Sequence, residues 1–435
     1  MASKDLQQYY KEHCMSLEDA MKLIKSGDLI IDGHGHGRSR IFGPALMERK
    51  DELKDVRLAT GYNLEPSLHC DPQYEGSFKH VSIFNTGTTR QAHWEGRAEF
   101  ASAHFSQLER TFKSWKPDVL FTMVTPPNED GYVSMGVSVD FTRAMMDECP
   151  LVIAQVNKNM PWVNGEAVVP VTKIHAFVEC DTELSEIPEA TTVSATDQAI
   201  AGHIAGLIND GDTLQIGVGS VPDTVLSMLT NHKHLGIHTE LGSTGIMKLM
   251  QKGVIDNSRK TVDPGKVVCT LMGGTKEFYK FVDHNDDFEM RRSSYVLNPA
   301  TICRQKNMVA MNSAIEIDLF GQVCSEMIGG KQFSGVGGQV DFLRGAMMAE
   351  GGRSIICLPS TAAKGTKSRI VAQFGAGTVV TASRYDVMYI VTEFGVAELW
   401  GKNNDERAKA LINIAHPDFR EQLEKDFWVK IHKVV

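Results

Sequence analysis

Leu17, Ala20, Met21, Leu23 and Ile24 recur at helical spacing, so residues 17–26 predict an amphipathic helix. Gly27-Asp28 closes it, and the apolar run Leu29-Ile30-Ile31 predicts a strand that runs into Gly33-His34-Gly35. A second helix over 43–50 and a strand over 56–60 complete a β-α-β unit, which demands a parallel sheet. The same pattern is written again later. A helix over 199–209 is closed by Gly211-Asp212 and followed by the strand Thr213-Leu214-Gln215-Ile216 and the turn Gly217-Val218-Gly219. Placing Gly27-Asp28 on Gly211-Asp212 also places Ile24 on Ile208, Gly33 on Gly217 and Gly35 on Gly219. With a slip in the intervening helix, Thr60-Gly61 then falls on Thr239-Glu240. The expected architecture is α/β: two duplicated α/β domains with mainly parallel sheets.

The stretch 235–245 reads as a short buried strand that ends in Glu240 and breaks into the turn Leu241-Gly242-Ser243-Thr244-Gly245. Of the two matching strand ends, only the second carries a carboxylate. A weaker echo lies in Asp118-Val119-Leu120-Phe121 and Asp386-Val387-Met388-Tyr389, which both open late strands. Residues 179–189 are acidic, contain Pro188 and have no clear period, so the linker is placed there. The expected domains are 1–185 and 186–435, the second carrying Glu240 and ending in a charged helical tail over 404–430.

A chain of 435 residues is too long for one ordinary core, which agrees with two domains. The formal net charge of -9 and the lack of a long basic run argue against nucleic acid or an anionic membrane as partner. An anionic ligand must then be held by local features. No apolar run is long enough to cross a bilayer, and residues 1–10 carry no apolar signal core, so a cytoplasmic protein is expected. The eight cysteines show no C-x-x-C pair and no Cys/His cluster at zinc spacing, and are expected as reduced structural thiols without metal.

Three glycine-rich or cationic segments are candidates for ligand contact. Gln215-Ile216-Gly217-Val218-Gly219-Ser220-Val221-Pro222 reads as a strand entering a Gly-x-Gly turn with Pro222 at the first helical position. Its free N–H groups could hold an anion or a carbonyl oxygen, or the segment is an ordinary tight turn. Phe333-Ser334-Gly335-Val336-Gly337-Gly338-Gln339 concentrates glycine, whose entropic cost is justified where main chain touches a ligand, or the segment is a structural turn. Lys364, Lys367 and Arg369 lie among small residues after Pro359, making either a flexible cationic loop for a long anionic ligand or a solvated one. Glu240 is either a solvated strand end or a catalytic carboxylate, attacking when ionised or donating when protonated. His34 and His36 read as turn residues, as binders of a substrate carboxylate, or as two metal ligands that lack a third nearby.

Together these segments resemble the family I coenzyme A transferases, in particular the acetyl-CoA hydrolase/transferase group, which includes 4-hydroxybutyrate CoA-transferases and butyryl-CoA:acetate CoA-transferases. The resemblance covers essentially the whole chain. Its carriers are Gly131-Tyr132-Val133-Ser134-Met135-Gly136, Gln215 through Pro222, Gly236-Ile237-His238-Thr239-Glu240, Asn312 through Val323, Gly335 through Phe342, Pro359 through Arg369 and Ala408 through Pro417. It implies that Glu240 is the nucleophile of a ping-pong CoA transfer through a glutamyl-CoA thioester. It also implies oxyanion donors at Val221, Gly337 and Gly338, and coenzyme A contacts at Gln215, Ile216, Gly217, Val218, Gly219, Ile315, Gly338 and Lys364. Coenzyme A enters as substrate, so no permanently bound cofactor is expected. The partners implied are an acyl-CoA, a short-chain carboxylic acid and a second copy of the chain in a homodimer. An acyl-CoA hydrolase on the same scaffold is the alternative activity. The sequence departs from the family pattern at Thr244, where relatives often carry an acidic residue, and in the histidine-rich turn 33–40.

Overall fold

The computed structural model describes residues 3–189, 192–217 and 219–429. Contacts divide the chain into two compact units. Unit 1 comprises Met1–Pro188, Glu240–Thr244 and Lys266–Val296; unit 2 comprises Glu189–Thr239, Gly245–Gly265 and Leu297–Val435. Glu240 is therefore the residue with which the chain returns to unit 1.

Unit 1 is built on a seven-stranded parallel sheet among the described residues, in the order Ala176–Glu179, Leu151–Val156, Val119–Val124, Leu29–Ile31, Val56–Thr60, Phe78–Ser82 and Ala98–Phe100. Every residue of the interior strand Val119–Val124 is buried, as a parallel strand covered on both faces requires. Ile30, Phe42, Leu46, Phe121 and Ile153 share one core with Met21 and Ile24. In unit 2 the order is Gly236–Ile237, Thr213–Ile216, Met308–Ser313, Arg353–Cys357, Tyr389–Thr392 and Gly395–Glu398. Only the last pairing of that sheet is antiparallel.

The repeated pattern in the sequence folds into a repeated turn. Gly27 and Gly211 both take left-handed φ, 85° and 81°. The carboxylate of Asp28 accepts from the Lys25 N–H at 2.7 Å, and that of Asp212 accepts from the Asn209 N–H at 2.7 Å. Each aspartate ends a helical segment by capturing an N–H, which is why Gly-Asp recurs at this place. At the far ends, Thr60 Oγ1 donates to the Gly33 carbonyl and Thr239 Oγ1 to the Ile216 carbonyl. The next residue differs for a steric reason. A Cβ on Gly61 would lie 2.6 Å from His34 Nε2. Gly61→Ala should therefore lower stability by about 1–3 kcal/mol in urea unfolding. Gly87→Ala, where a Cβ meets nothing within 4 Å, is the control and should shift it by under about 0.5 kcal/mol.

Element boundaries moved where caps outweigh apolar periodicity. The first expected helix spans only Leu17–Lys22, with Ser16 as its cap. The helix expected over 43–50 spans Phe42–Met47. That expected over 199–209 is Ala195–Ala205, because Ser194 accepts from the Asp197 N–H and sets the start. The C-terminal tail is two helices, Asn404–Ile414 and Pro417–Phe427, divided at His416-Pro417; Lys430 lies outside the described residues. The expected turn after Glu240 is instead a two-residue strand, Leu241–Gly242, parallel to Leu271–Met272, followed directly by the helix Thr244–Gln251.

Candidate functional site

In unit 2 the strand Thr213–Ile216 has its sequence successor, Gly236–Ile237, on one side and Met308–Ser313 on the other. Strand order reverses there, and in open parallel sheets ligands bind outside the carboxyl ends of the strands at such a point. The side chains at this edge are paired across the two strands. Asn312 Nδ2 donates to Gln215 Oε1 at 2.9 Å.

Beyond Gln215 and Ile216 comes the glycine turn, of which Val218 lies outside the described residues. Among the described residues, a Cβ on Gly217 or Gly219 would meet nothing within 4 Å. Gly219 still needs to be glycine, because its φ is 125°. Gly217 has neither a positive φ nor a neighbour to avoid. Packing does not explain it.

Gly219 is the N-cap of the helix Ser220–Met228, and Gly338 is the N-cap of Gln339–Met348; neither helix has a side-chain cap. Elsewhere Ser194, Thr275 and Asn403 provide that oxygen. The helix dipole adds positive potential at both starts, and at the second the Gln339 N–H donates to the Val336 carbonyl at 3.4 Å. Val221 is the second residue of its helix and Pro222 the third, not the first as expected; proline fits because that N–H has no helical acceptor. Gly337 holds φ at 57°, and Gln339 Nε2 donates to the Ser313 carbonyl at 2.8 Å. This last bond fixes the second helix start against the end of the strand Met308–Ser313.

Lys364 is carried on a hairpin, Thr361–Ala362 paired with Lys367–Ser368, and not on a flexible loop as its composition indicates. The Gly365 N–H donates to the Ala362 carbonyl at 3.1 Å across the turn. Ala363 and Lys364 both sit in the left-handed region, at φ 51° and 57°. For residues other than glycine this costs about 1–2 kcal/mol each, strain that holds the ammonium at an exposed tip. Arg369 then ties the hairpin to its neighbour, donating to the carbonyls of Thr361 at 3.2 Å and Ile315 at 3.4 Å. Glu393, just past the strand Tyr389–Thr392, accepts from both the N–H and the hydroxyl of Ser360, at 2.8 and 2.6 Å. The structure therefore gathers Gln215, Ile216, Gly217, Gly219, Val221, Ile315, Gly337, Gly338 and the Lys364 hairpin at one edge of unit 2.

Glu240 belongs by its contacts to unit 1. Thr239 before it is buried and held by its hydroxyl to the Ile216 carbonyl at 3.0 Å. The Glu240 carbonyl accepts from the N–H groups of Thr270 and Leu271, at 3.2 and 2.9 Å. Its backbone is fixed on both sides while its side chain is half-buried. Thr244, the departure from the family pattern, accepts the Thr275 N–H at 3.0 Å through its hydroxyl. The histidine-rich turn of unit 1 is engaged internally. His34 Nδ1 lies 3.0 Å from Asp140 Oδ2, and His36 Nδ1 lies 2.8 Å from the Ser185 carbonyl. Burial pushes the His36 pKa below its ordinary value and keeps the ring neutral. Arg38 pairs with Asp32 at 2.5 Å, and Arg40 with Glu65.

Two family models match the chain, the acetyl-CoA hydrolase/transferase N-terminal domain over residues 1–188 and the C-terminal domain over 274–427. The chain belongs to the acetyl-CoA hydrolase/transferase family. It is 42% identical to a 4-hydroxybutyrate coenzyme A transferase of Clostridium kluyveri over 97% of this chain and 98% of that one. It is 33% identical to a butyryl-CoA:acetate CoA-transferase of Anaerostipes caccae over 96% of both. Among solved structures, RipA of Yersinia pestis matches with a TM-score of 0.93 at 34% identity, covering 98% of this chain and 99% of that one.

Within this acetyl-CoA hydrolase/transferase chain, Asn312 and Thr239 stand in sequence motifs but without an assigned role, and Glu393, which holds Ser360, stands in none. Sequence reasoning passed over His69, Cys70 and His80 as a group. Their spacing is not that of a zinc motif, yet the fold brings one ligand atom of each within 4.8 Å of the other two.

Proposed function

We propose that this protein is an acyl-CoA:carboxylate CoA-transferase, moving coenzyme A between short-chain acids such as 4-hydroxybutyrate or butyrate and acetate. The observation that carries the reading is the edge of unit 2. Two uncapped helix starts and an unneeded glycine, Gly217, lie there together, and Thr239, buttressed on the same strand end, is followed at once by Glu240. Relatives named for these transfers support the substrate class.

The Glu240 carboxylate attacks the thioester carbonyl, giving an acyl-glutamyl anhydride and CoA thiolate. Thiolate then attacks the glutamyl carbonyl, leaving a glutamyl-CoA thioester and releasing the first acid. A second carboxylate attacks that thioester and takes the coenzyme A away by the reverse steps. Each addition builds an oxyanion, for which the N–H groups of Val221, Gly337 and Gly338 are the donors, aimed before charge develops. Coenzyme A lies along Gln215 to Gly219, Ile315 and Gly338, with Lys364 toward its anionic end. Binding energy from that remote part orients the reacting thioester. The enzyme works in the cytoplasm as a homodimer.

Incubation with butyryl-CoA and no acceptor, followed by borohydride, tests the reading. Reduced Glu240 in the digested protein is expected, and an unmodified Glu240 refutes the covalent route. Acyl-CoA hydrolysis is the competing outcome, read as coenzyme A release at the same rate with and without acetate. Replacing Lys364 by alanine should raise KM for acyl-CoA about tenfold with kcat little changed, an effect that shrinks as salt is added.

A further inference from the structure

In unit 1 two histidines and a cysteine that the proposed transfer does not use meet. His69 and Cys70 lie on the tight turn Leu68–Cys70, which the Cys70 N–H fixes by donating to the Ser67 carbonyl at 2.8 Å. His80 is the middle residue of the strand Phe78–Ser82, paired with Leu58 on one side and Ala98 on the other. His69 Nε2 and His80 Nδ1 are 2.8 Å apart. Such a contact holds one hydrogen, so at least one of the two nitrogens presents a bare lone pair to the other. His69 and His80 are 4% and 1% exposed, and His80 Nε2 has no partner among the described residues.

Cys70 supplies what a histidine pair lacks. Largely buried itself, it lines with Ser67, Asp71 and Thr88 a surface cavity of about 360 Å³. That cavity is an access path for an ion. Two arginines lie nearby: Arg38 is matched by Asp32 at 2.5 Å, and Arg97, which donates to the Cys70 carbonyl, is matched by Glu95. One sulfur and two imidazole nitrogens suit a borderline divalent ion that takes a tetrahedral N/S shell.

We propose that His69, Cys70 and His80 form a zinc site, with solvent from the cavity as fourth ligand. Binding takes the proton from the Cys70 thiol and moves the hydrogen shared by the two rings to the other nitrogen of the ring that donates it, so one proton is released for each ion bound. The two histidine nitrogens separate from 2.8 Å to about 3.3 Å, the spacing that bonds of about 2.0 Å impose around a tetrahedral ion. The ion then staples the Leu68–Cys70 turn to the strand Phe78–Ser82. Nothing in the transfer chemistry requires it, and the role is structural.

Cobalt(II) is the probe. Full-length protein, first stripped with a chelator, should bind one Co²⁺ per chain with a thiolate-to-cobalt charge-transfer band. Cys70→Ser should lose that band, and His80→Asn should weaken binding by about tenfold or more. In wild-type protein, zinc should also raise the unfolding temperature and shield Cys70 from alkylation, read as the modified peptide by mass spectrometry. A band that persists in Cys70→Ser, or alkylation of wild-type Cys70 at the same rate with and without zinc, overturns the proposal. The alkylation measurement needs no variant, so a folding defect in either substitution leaves the test decisive.

Discussion

Glu240→Gln should abolish transfer, with turnover between butyryl-CoA and acetate falling on the order of 10⁴-fold or more. The substitution keeps the shape of the side chain and removes only the charge. The flanking anchors use main chain and the Thr239 hydroxyl, so they survive it. An amide oxygen is a far weaker nucleophile than a carboxylate oxygen, and no anhydride forms at useful rate. The coenzyme A surface proposed for unit 2 is untouched, so affinity for a non-reacting CoA thioester should change by less than about threefold. Loss of turnover with retained binding separates a nucleophile from a positioning group. Initial rates together with calorimetric binding of the thioester analogue measure both. Turnover that persists within about tenfold of wild type would place the nucleophile elsewhere.

The two Gly-Asp turns were legible because glycine at left-handed φ and an aspartate three residues past the N–H it captures are local chemistry. Parallel sheets followed, since apolar strands alternating with helices leave few other arrangements. Helix ends were misjudged where a single cap decides: Ser194 moves a start that the apolar spacing puts several residues later. The strand Leu241–Gly242 was invisible because its partner, Leu271–Met272, lies far along the chain and two residues carry no period.

The candidate site divides in the same way. Gly217, Gly337 and Gly338 stand out in sequence, but that Gly217 is not demanded by packing appears only when a Cβ is placed on it. Composition indicated a flexible loop around Lys364, and Ala363-Lys364 is no turn signature; the left-handed pair is imposed by the hairpin that Arg369 and Glu393 hold in place. Thr244, a departure from the family pattern, accepts a backbone N–H at the start of the helix Lys276–Val282. Side-chain to main-chain bonds of this kind have no periodic trace.

Asp140→Ala should cost about 3–5 kcal/mol of stability, the largest loss expected from any single truncation discussed for unit 1. The Asp140 side chain is fully buried and accepts four contacts. Oδ1 takes the N–H groups of Phe141 and Thr142, at 2.5 and 3.0 Å, at the start of the helix Thr142–Glu148. Oδ2 takes the Ser138 hydroxyl at 2.8 Å and lies 3.0 Å from His34 Nδ1. Alanine leaves those groups buried without an acceptor and opens a cavity besides. Asparagine keeps one oxygen and should lose roughly half as much. The damage also reaches the His34 turn, because that ring is packed between Phe105 and Phe141 and has Asp140 as its hydrogen-bond anchor. Urea unfolding of the three proteins gives the order wild type, Asp140→Asn, Asp140→Ala. Equal stability of alanine and wild type would mean that water reaches this aspartate in solution and that its bonds contribute little.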